Sequence, residues 1–381
     1  MIRIMTVFGT RPEAIKMCPL VKELDGREEI ESIVCVTAQH RQMLDQVLQL
    51  FSVAPDYDLN IMRDRQTLTG ITVRALEGLE QVLKEAKPDM VLVHGDTTTT
   101  FAGSLAAYYH QIAVGHVEAG LRTYQKYFPF PEEMNRRMTG AIADLHFAPT
   151  ISNKNNLLKE NIAEQKIFIT GNTVIDALHT TVQKNYIFQT PALREVDFQN
   201  RRVIVMTAHR RENLGQPLEQ ICRAVLRVAQ EFSDVTVIYP VHLNPKVRET
   251  AFSILGKQSN VMLIDPLDVE ELHNLMDRCT LLLTDSGGIQ EEAPALGKPV
   301  LVLRNETERP EAVEAGTVRI AGCEEGKVYQ MTRQLLTDSS EYEAMSRAVN
   351  PYGDGNACRR IADAILYHFG KGKRPENFLG G

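Results

Sequence analysis

The sequence lacks the common signatures of cofactor and acyl chemistry. No GxGxxG follows the first candidate strand, so a dinucleotide-binding unit is not expected. No GxxxxGK[ST] occurs, which argues against P-loop ATP chemistry, and there is no GxSxG nucleophile elbow. A basic excess is missing as well. Lys and Arg number 42 against 49 Asp and Glu, giving a net charge of −7 and a pI near 5.9. Neither nucleic acid nor a membrane surface is therefore expected as a partner. The six cysteines, Cys18, Cys35, Cys222, Cys279, Cys323 and Cys358, are scattered without CxxC pairs or metal-ligand spacing. They read as small core residues of a reduced, cytoplasmic protein, with no metal centre. No run approaches a membrane span. The apolar stretch at Ile2–Phe8 is cut short by Gly9-Thr10-Arg11-Pro12-Glu13 and reads as a strand, not a secretory signal. Short repeats and low-complexity tracts are absent.

What remains is an α/β alternation. With 381 residues, 43% of them hydrophobic, the chain has room for two or three cored domains. Strands are expected at Ile2–Phe8, Ser32–Thr37, Asp89–Val93, Ile112–Val117 and Leu145–Ala148. Helices are expected from Pro12 to about Leu24, from residue 43 to about Phe51, and at Leu68–Ala86, Thr100–His110 and Pro131–Ala143. Thr67 is placed to cap the third of these helices. After a polar surface connection at Thr190–Arg201 a second series begins. Its expected strands are Val203–Thr207, Val235–Tyr239, Val261–Ile264, Leu281–Thr284 and Val300–Leu303, with helices at Leu218–Glu231, Pro245–Leu255 and about Gly355–Phe369. This pattern predicts two doubly wound, Rossmann-like domains in tandem. The boundary is expected near Thr170-Gly171-Asn172. The first domain would span 1–170, joined by a C-terminal helix at about 365–381, and the second 171–364. Ligands of such sheets bind at the carboxyl ends of strands, so the cleft between two facing domains is the expected site.

One stretch organises the rest. Leu281–Thr284 reads as a buried strand, Asp285-Ser286-Gly287-Gly288 as a small-residue turn, and Ile289-Gln290-Glu291-Glu292-Ala293 as a helix start. Such a turn aims free N–H groups at an anion, typically phosphate. Glu291 and Glu292 would repel a bare phosphate, so a ligand here is expected to offer them hydroxyl groups. An ordinary Ser-capped loop is the competing reading. The other polar residues fall at strand ends too: Arg11, Asp96, Glu118, Glu132 with Arg136, His209-Arg210-Arg211-Glu212, His242 and Arg309. Each alone is as compatible with a helix cap or a solvated face. Together they place three carboxylates from the first domain opposite cationic and glycine-rich groups from the second. That suits a nucleoside diphosphate joined to a polyhydroxylated group. His94 and His116 form no metal pattern, and His40, His110 and His146 read as structural or surface residues.

Several blocks are more specific. Gly9-Thr10-Arg11-Pro12-Glu13-Ala14-Ile15-Lys16, Gly95-Asp96-Thr97, His116-Val117-Glu118-Ala119-Gly120-Leu121-Arg122 and Pro131-Glu132-Glu133-Met134-Asn135-Arg136 resemble the non-hydrolysing UDP-N-acetylglucosamine 2-epimerases of bacteria. So do Thr207-Ala208-His209-Arg210-Arg211-Glu212-Asn213, Asp285 to Glu292 and Thr307-Glu308-Arg309-Pro310-Glu311. The blocks run in order along nearly the whole chain, and the sequence is most similar to members from Bacillus-type bacteria. The resemblance implies a GT-B fold, a homodimer, no cofactor, and interconversion of UDP-GlcNAc and UDP-ManNAc for surface polymers such as teichoic-acid linkage units or capsule. It also implies a route: UDP leaves C1, the C2 hydrogen becomes acidic, 2-acetamidoglucal forms, and re-protonation from the other face with return of UDP gives the epimer.

On that resemblance Asp96, Glu118 and Glu132 are the acid/base candidates. Their proximity is expected to raise the pKa of at least one. Arg11, His209 and the Ser286-Gly287-Gly288 turn would stabilise the departing diphosphate. Glu292 matches a ribose ligand, Arg309 a further nucleotide position and Lys16 a binding position. Leu267 and Leu272 stand where some relatives carry glutamine and an aromatic beside the uracil, so apolar packing would replace stacking. Gln39, Gln42, Arg65 and His242 match an activator site for a second UDP-GlcNAc. A GT-B glycosyltransferase, a hydrolysing epimerase that releases free ManNAc, and a nucleotide-sugar sensor without turnover remain alternatives at this stage.

Overall fold

The computed structural model describes residues 1–39, 41–63 and 66–380. Its contacts divide the chain into two units, Met1–Ala177 with Tyr352–Gly380, and Leu178–Pro351. The sequence pattern puts the corresponding limits at 170 and about 365, where the contacts put them at 177 and 352.

In the first unit the elements run β1 (Ile2–Phe8), α1 (Arg11–Asp25), β2 (Ile30–Val36), α2 (Arg41–Leu50), β3 (Tyr57–Asp58), α3 (Leu68–Ala86) and β4 (Met90–His94). They continue with α4 (Thr98–Tyr109), β5 (Ala113–Val117), α5 (Glu132–Ile142), β6 (Leu145–Ala148), α6 (Ile151–Lys159), β7 (Ile167–Ile169) and α7 (Thr173–Thr181), in which the division falls. The strands pair in parallel in the order β3-β2-β1-β4-β5-β6-β7. The second unit carries α8 (Pro191–Arg194), β8 (Arg202–Thr207), α9 (Gln216–Glu231), β9 (Val235–Pro240), α10 (Pro245–Leu255), β10 (Val261–Ile264) and α11 (Val269–Arg278). There follow β11 (Leu281–Thr284), α12 (Gly287–Ala295), β12 (Val300–Val302), α13 (Pro310–Glu314), β13 (Val318–Ile320), α14 (Glu325–Thr337) and α15 (Ser339–Ser346). Its parallel sheet has the order β10-β9-β8-β11-β12-β13. The last helix, α16 (Ala357–His368), returns to the first unit and packs on α1.

Both sheets are buried on their two faces, which is why their strands read as continuous apolar runs. Ile4, Phe8, Met90, Leu92 and Phe147 share one core with Ile361 and Ile365 of α16. Ile204, Met206, Val237, Leu281 and Leu301 form the centre of the second. The cysteines are all unpaired, and all but Cys323 are buried, as small core residues should be. Thr67 caps α3 by accepting a hydrogen bond from Gly70 N at 3.0 Å, as anticipated. The 190–201 connection is not wholly surface: it contains α8, and Leu193 is fully buried. Elements too short to show a period, β3, β7 and β13, escaped the sequence reading, as did α6, α7, α14 and α15.

Each sheet reverses its winding direction at one place, between β1 and β4 in the first unit and between β8 and β11 in the second. Crossover helices leave to opposite sides there, so the strand ends open a crevice lined by loop residues. Arg11 and Asp96 follow the strands at the first of these places and His209 and Asp285 those at the second, while Glu118, His242 and Arg309 follow neighbouring strands.

Candidate active site

In the first unit, Gly9-Thr10 leaves β1 tightly against its neighbours. A Cβ on Gly9 would lie 1.9 Å from Thr37 Oγ1, so only glycine passes here. Glu13, one turn into α1 and buried, fastens the turn. Its Oε2 accepts hydrogen bonds from Gly9 N, Thr10 N and Thr10 Oγ1 at 3.1, 2.9 and 2.8 Å. Its Oε1 accepts from Thr97 Oγ1 at 2.7 Å. One carboxylate thus locks the loop carrying Arg11 to the loop carrying Asp96. Sequence reading missed this role, although Glu13 lies inside the Gly9-Thr10-Arg11-Pro12-Glu13 turn.

Asp96 is held from α5. Its Oδ2 is 2.6 Å from Arg136 Nη2 and accepts from Nε at 2.9 Å, while Asn135 donates to the Asp96 carbonyl at 2.9 Å. Glu133, fully buried, accepts from Thr123 N and Tyr124 N, both at 3.0 Å, and so fixes the chain leading into α5. Glu132 stands beside it at the helix start. Its carboxylate makes no hydrogen bond or ion pair among the described residues, and neither does the Arg11 guanidinium. Arg11, Asp96, Glu132, Asn135 and Gln39 line one cavity of about 400 Å³. Gln39, expected at a regulatory position, therefore shares this cavity with two of the candidate acid/base groups.

Glu118 ends β5 with φ +60°, a left-handed conformation that costs a non-glycine residue and turns its side chain back over the strand ends. Lys16 Nζ donates to both its oxygens at 2.8 and 2.7 Å, and His94 Nε2 lies 2.7 Å from Oε2. Burial pushes this carboxyl up, but Lys16 and His94 outweigh it and hold Glu118 well below the usual carboxylate range. The expectation that crowding raises the pKa of one acid thus fails at Glu118, because each carboxylate of this set but Glu132 has acquired its own cation. Lys16 is not a solvated helix lysine. His94, unassigned from sequence, is its co-partner, and its only sequence signal was adjacency to Gly95-Asp96.

Next to His94, His116 is fully buried and its Nε2 lies 2.8 Å from the Gly95 carbonyl. A carbonyl can only accept, so Nε2 carries the proton. Burial drives this imidazole down to about 3, and that of buried His146, its register partner on β6, to about 4. Neither lines the cavity that holds Arg11, Asp96 and Glu132.

In the second unit, Asp285 follows β11 at the reversal point and is fully buried. Its Oδ2 accepts from His209 N and Arg210 N, both at 2.7 Å, and from Asn213 Nδ2 at 3.0 Å, pinning the loop after β8. Ser286 precedes α12 without capping it, so the N–H groups of Gly287 and Gly288 open the helix with no partner inside it. Arg309 comes up beside this turn: a Cβ on Gly287 would lie 3.9 Å from its Cζ. Glu291 is buried and paired with Arg309, so it is engaged within the protein and not offered to a ligand hydroxyl. Glu292 keeps that possibility. It lies 3.6 Å from His273 Nε2, whose Nδ1 is 2.6 Å from Thr181 Oγ1. Leu267 and Leu272 are half-buried, in the connection before α11 and at the start of that helix. His242 stacks on His209, ring centroids 5.3 Å apart and planes within 8°. Gln42 is exposed on α2. Arg65 lies outside the described residues. Among the described residues no three His, Cys, Asp or Glu side chains converge as a metal would require, and no helix is long and apolar enough to cross a membrane.

Two Rossmann-like units, each a doubly wound parallel sheet with one reversal point, are the architecture of the GT-B class. A family model described as UDP-N-acetylglucosamine 2-epimerase matches residues 22–366. The UDP-N-acetylglucosamine 2-epimerase of Bacillus subtilis (strain 168) is 62% identical over 380 residues, covering 100% of this chain and 99% of its own. Two solved structures are similar throughout. The Staphylococcus aureus MnaA–UDP complex has a TM-score of 0.88 at 51% identity, covering 99% and 100% of the two chains. The Neisseria meningitidis UDP-GlcNAc 2-epimerase bound to UDP-GlcNAc has 0.84 at 50% identity, covering 96% and 100%. The chain belongs to the UDP-N-acetylglucosamine 2-epimerase family.

Proposed function

We propose that this protein interconverts UDP-GlcNAc and UDP-ManNAc by removing UDP and adding it back. The observation that carries the reading is the 400 Å³ cavity wall in the first unit. There Glu132 and Arg11, both without an ion partner among the described residues, stand beside a pinned Asp96, in a chain of this family. In the forward step the C1–O bond breaks and its electron pair leaves with the β-phosphate oxygen of UDP. The C2–H proton passes to a carboxylate and the C–H pair becomes the C1=C2 bond of 2-acetamidoglucal. The reverse step, with the proton delivered to the opposite face, yields the epimer. No cofactor enters this balance.

Glu132 is the best-suited proton carrier, because its basicity is not committed to a cation. Glu118, kept ionised by Lys16 and His94, supports positive charge developing at C1, with Asp96 beside Arg136 in the same role. On the second unit the diphosphate is met by His209 and by the Gly287 and Gly288 N–H groups of the Ser286-Gly287-Gly288 turn, the ribose by Glu292, and the base by Leu267 and Leu272 with Arg309 close to the turn; on the first unit Arg11 is the cation offered to a phosphate. Gln39 and Gln42 on the first unit, and His242 on the second, are the described candidates for contacting an activating second UDP-GlcNAc. We further place the protein in the cytoplasm as a homodimer that feeds ManNAc to a surface polymer.

Proton and phosphorus NMR with UDP-GlcNAc in deuterated water tests the reading. UDP-ManNAc with deuterium at C2 of both sugars is expected. Free ManNAc plus UDP would indicate hydrolysis, and an unchanged spectrum despite binding would leave a transferase or a sensor.

A further inference from the structure

The Asp285 carboxylate is used unevenly. Oδ2 takes three donors, His209 N, Arg210 N and Asn213 Nδ2. Oδ1 is equally buried and accepts no hydrogen bond among the described residues. A buried charged oxygen without a donor is costly, and such atoms call for an explanation. The explanation lies 3.5 Å away, at Nδ1 of His209. The carboxylate cannot turn aside. Asn213 is itself fixed, donating to the Leu303 carbonyl at 3.0 Å and taking the Cys323 thiol on its Oδ1 at 3.2 Å, so its Nδ2 must face Asp285. The His209 backbone is held by the same carboxylate, so the imidazole can reach Oδ1 by a small side-chain rotation. One face of that ring is already covered by His242, whose Nδ1 accepts from Asn244 N at 3.0 Å and is thereby fixed in its own orientation.

We propose that Asp285 is the positioning residue of His209: it holds the imidazole with its proton on Nδ1 and so makes Nε2 the atom that takes up a proton when a nucleoside diphosphate binds. A carboxylate on one ring nitrogen fixes the tautomer and stabilises the imidazolium formed at the other. The charged and titratable groups facing His209 are Asp285 from the β11–α12 turn, His242 after β9, and Arg210 next in the chain. Partial burial of the ring, with His242 and Arg210, holds its pKa below the usual value against the pull of Asp285. The free protein therefore carries His209 neutral near pH 7, with Nε2 open. A diphosphate arriving there replaces open solvent with negative charge and draws a proton onto Nε2, where it can hydrogen-bond the departing oxygen. This deepens the diphosphate-binding reading of the second unit and rests on it.

Two measurements test it. Calorimetric titration of UDP at pH 7 in buffers of different ionisation enthalpy reports protons taken up on binding. A substantial fraction of one proton is expected for the parent protein, falling toward zero in Asp285→Asn, which leaves His209 itself in place, and the uptake per UDP bound is compared at saturating UDP; His209→Gln, weakened in binding, should likewise show none per UDP bound. The amide introduced by Asp285→Asn can keep the three donors on its oxygen, but it turns an NH2 group toward the ring and forces the other tautomer. Binding without proton uptake in the parent, or unchanged uptake in Asp285→Asn, overturns the inference. Absence of UDP binding by the parent overturns the diphosphate reading itself. Long-range nitrogen–proton NMR of the unsubstituted protein, with His209 assigned by difference against His209→Gln, gives the tautomer directly: Nδ1–H supports the proposal and Nε2–H overturns it, whether or not the Asp285→Asn variant folds.

Discussion

Lowering the pH from 7 to 5 should destabilise the first unit by several kcal/mol, through two buried imidazoles outside the cavity lining. His116 and His146 are fully buried neighbours across β5 and β6. Burial is the main cause of their low pKa values, about 3 and about 4. Nearby cations add to it: Arg122 acts on both, Lys166 on His146, and His146, when charged, would oppose a charge on His116. The unfolded chain has ordinary histidines near 6.5. Between these limits the unfolded state binds protons that the folded state refuses, so stability falls as pH falls. The loss begins near pH 6.5 and runs down toward the folded values. At pH 5 each histidine contributes about 2 kcal/mol of destabilisation, since the folded pKa lies well below and the unfolded one roughly 1.5 units above. The pair gives about 4 kcal/mol, a large part of the roughly 5–15 kcal/mol that keeps a domain folded. Glu118, whose folded pKa is depressed, acts only below the usual carboxylate value and does not enter this window.

Urea unfolding followed by far-UV circular dichroism from pH 7.5 to 5 measures the effect, with native-state hydrogen exchange of β5 and β6 amides reporting the first unit. Because removal of one imidazole changes the proton balance whatever it does to packing, His146→Asn should lose about half of the pH slope even if its stability at pH 7.5 is lower. A denaturation midpoint that stays level between pH 7 and 5, or a His146→Asn slope equal to the parent's, would refute the reasoning.

Three substitutions probe the site and its frame. Lys16→Met should leave the buried Glu118 with His94 and a 3.4 Å hydrogen bond from Asn172 Nδ2, raise its carboxyl, move the acid limb of kcat/KM to higher pH, and cost about 10²-fold at pH 7, equivalent to roughly 3 kcal/mol; an unchanged pH profile would detach Lys16 from the chemistry. Glu132→Gln should slow C2 deuterium exchange by about 10²–10⁴-fold with UDP affinity held within a few-fold, because the group carries no ion pair that binding or folding needs; exchange at the parent rate would move the proton carrier elsewhere. Gly120→Ala should fail to fold or lose several kcal/mol, since φ is +92° and the new Cβ would sit 2.3 Å from the Asn153 carbonyl oxygen; a parent-like thermal transition would contradict that contact.

By itself the sequence determined the two series of parallel strands, because strands buried on both faces must be apolar throughout and helices must be periodic. β1, α3, β6, α10, β10 and β11 emerge with the ends expected of them or nearly so. It also determined where the polar motifs collect, since parallel sheets present their strand ends as loops and helix starts, and Arg11, Asp96, Glu118 and His209 can stand there without burying unpaired charge. Short elements stayed silent: two or three residues of β3, β7 or β13 carry no period, and their existence depends on a neighbouring strand to pair with. Tertiary structure alone decided the charge state of the acids. Lys16 and Glu118 are far apart in the chain, as are Asp96 and Arg136, or Glu291 and Arg309, and nothing local says that these pairs meet. Three acids read from sequence as equivalent therefore become two carboxylates tied to cations and one left uncommitted. The same holds for Asp285, which the sequence offers only as the first residue of a turn. Its one donor-poor oxygen exists because β8 and β11 are neighbours at the reversal point of the sheet, and a pKa or a tautomer is set by what lies within a few ångströms in space, whatever its distance along the chain.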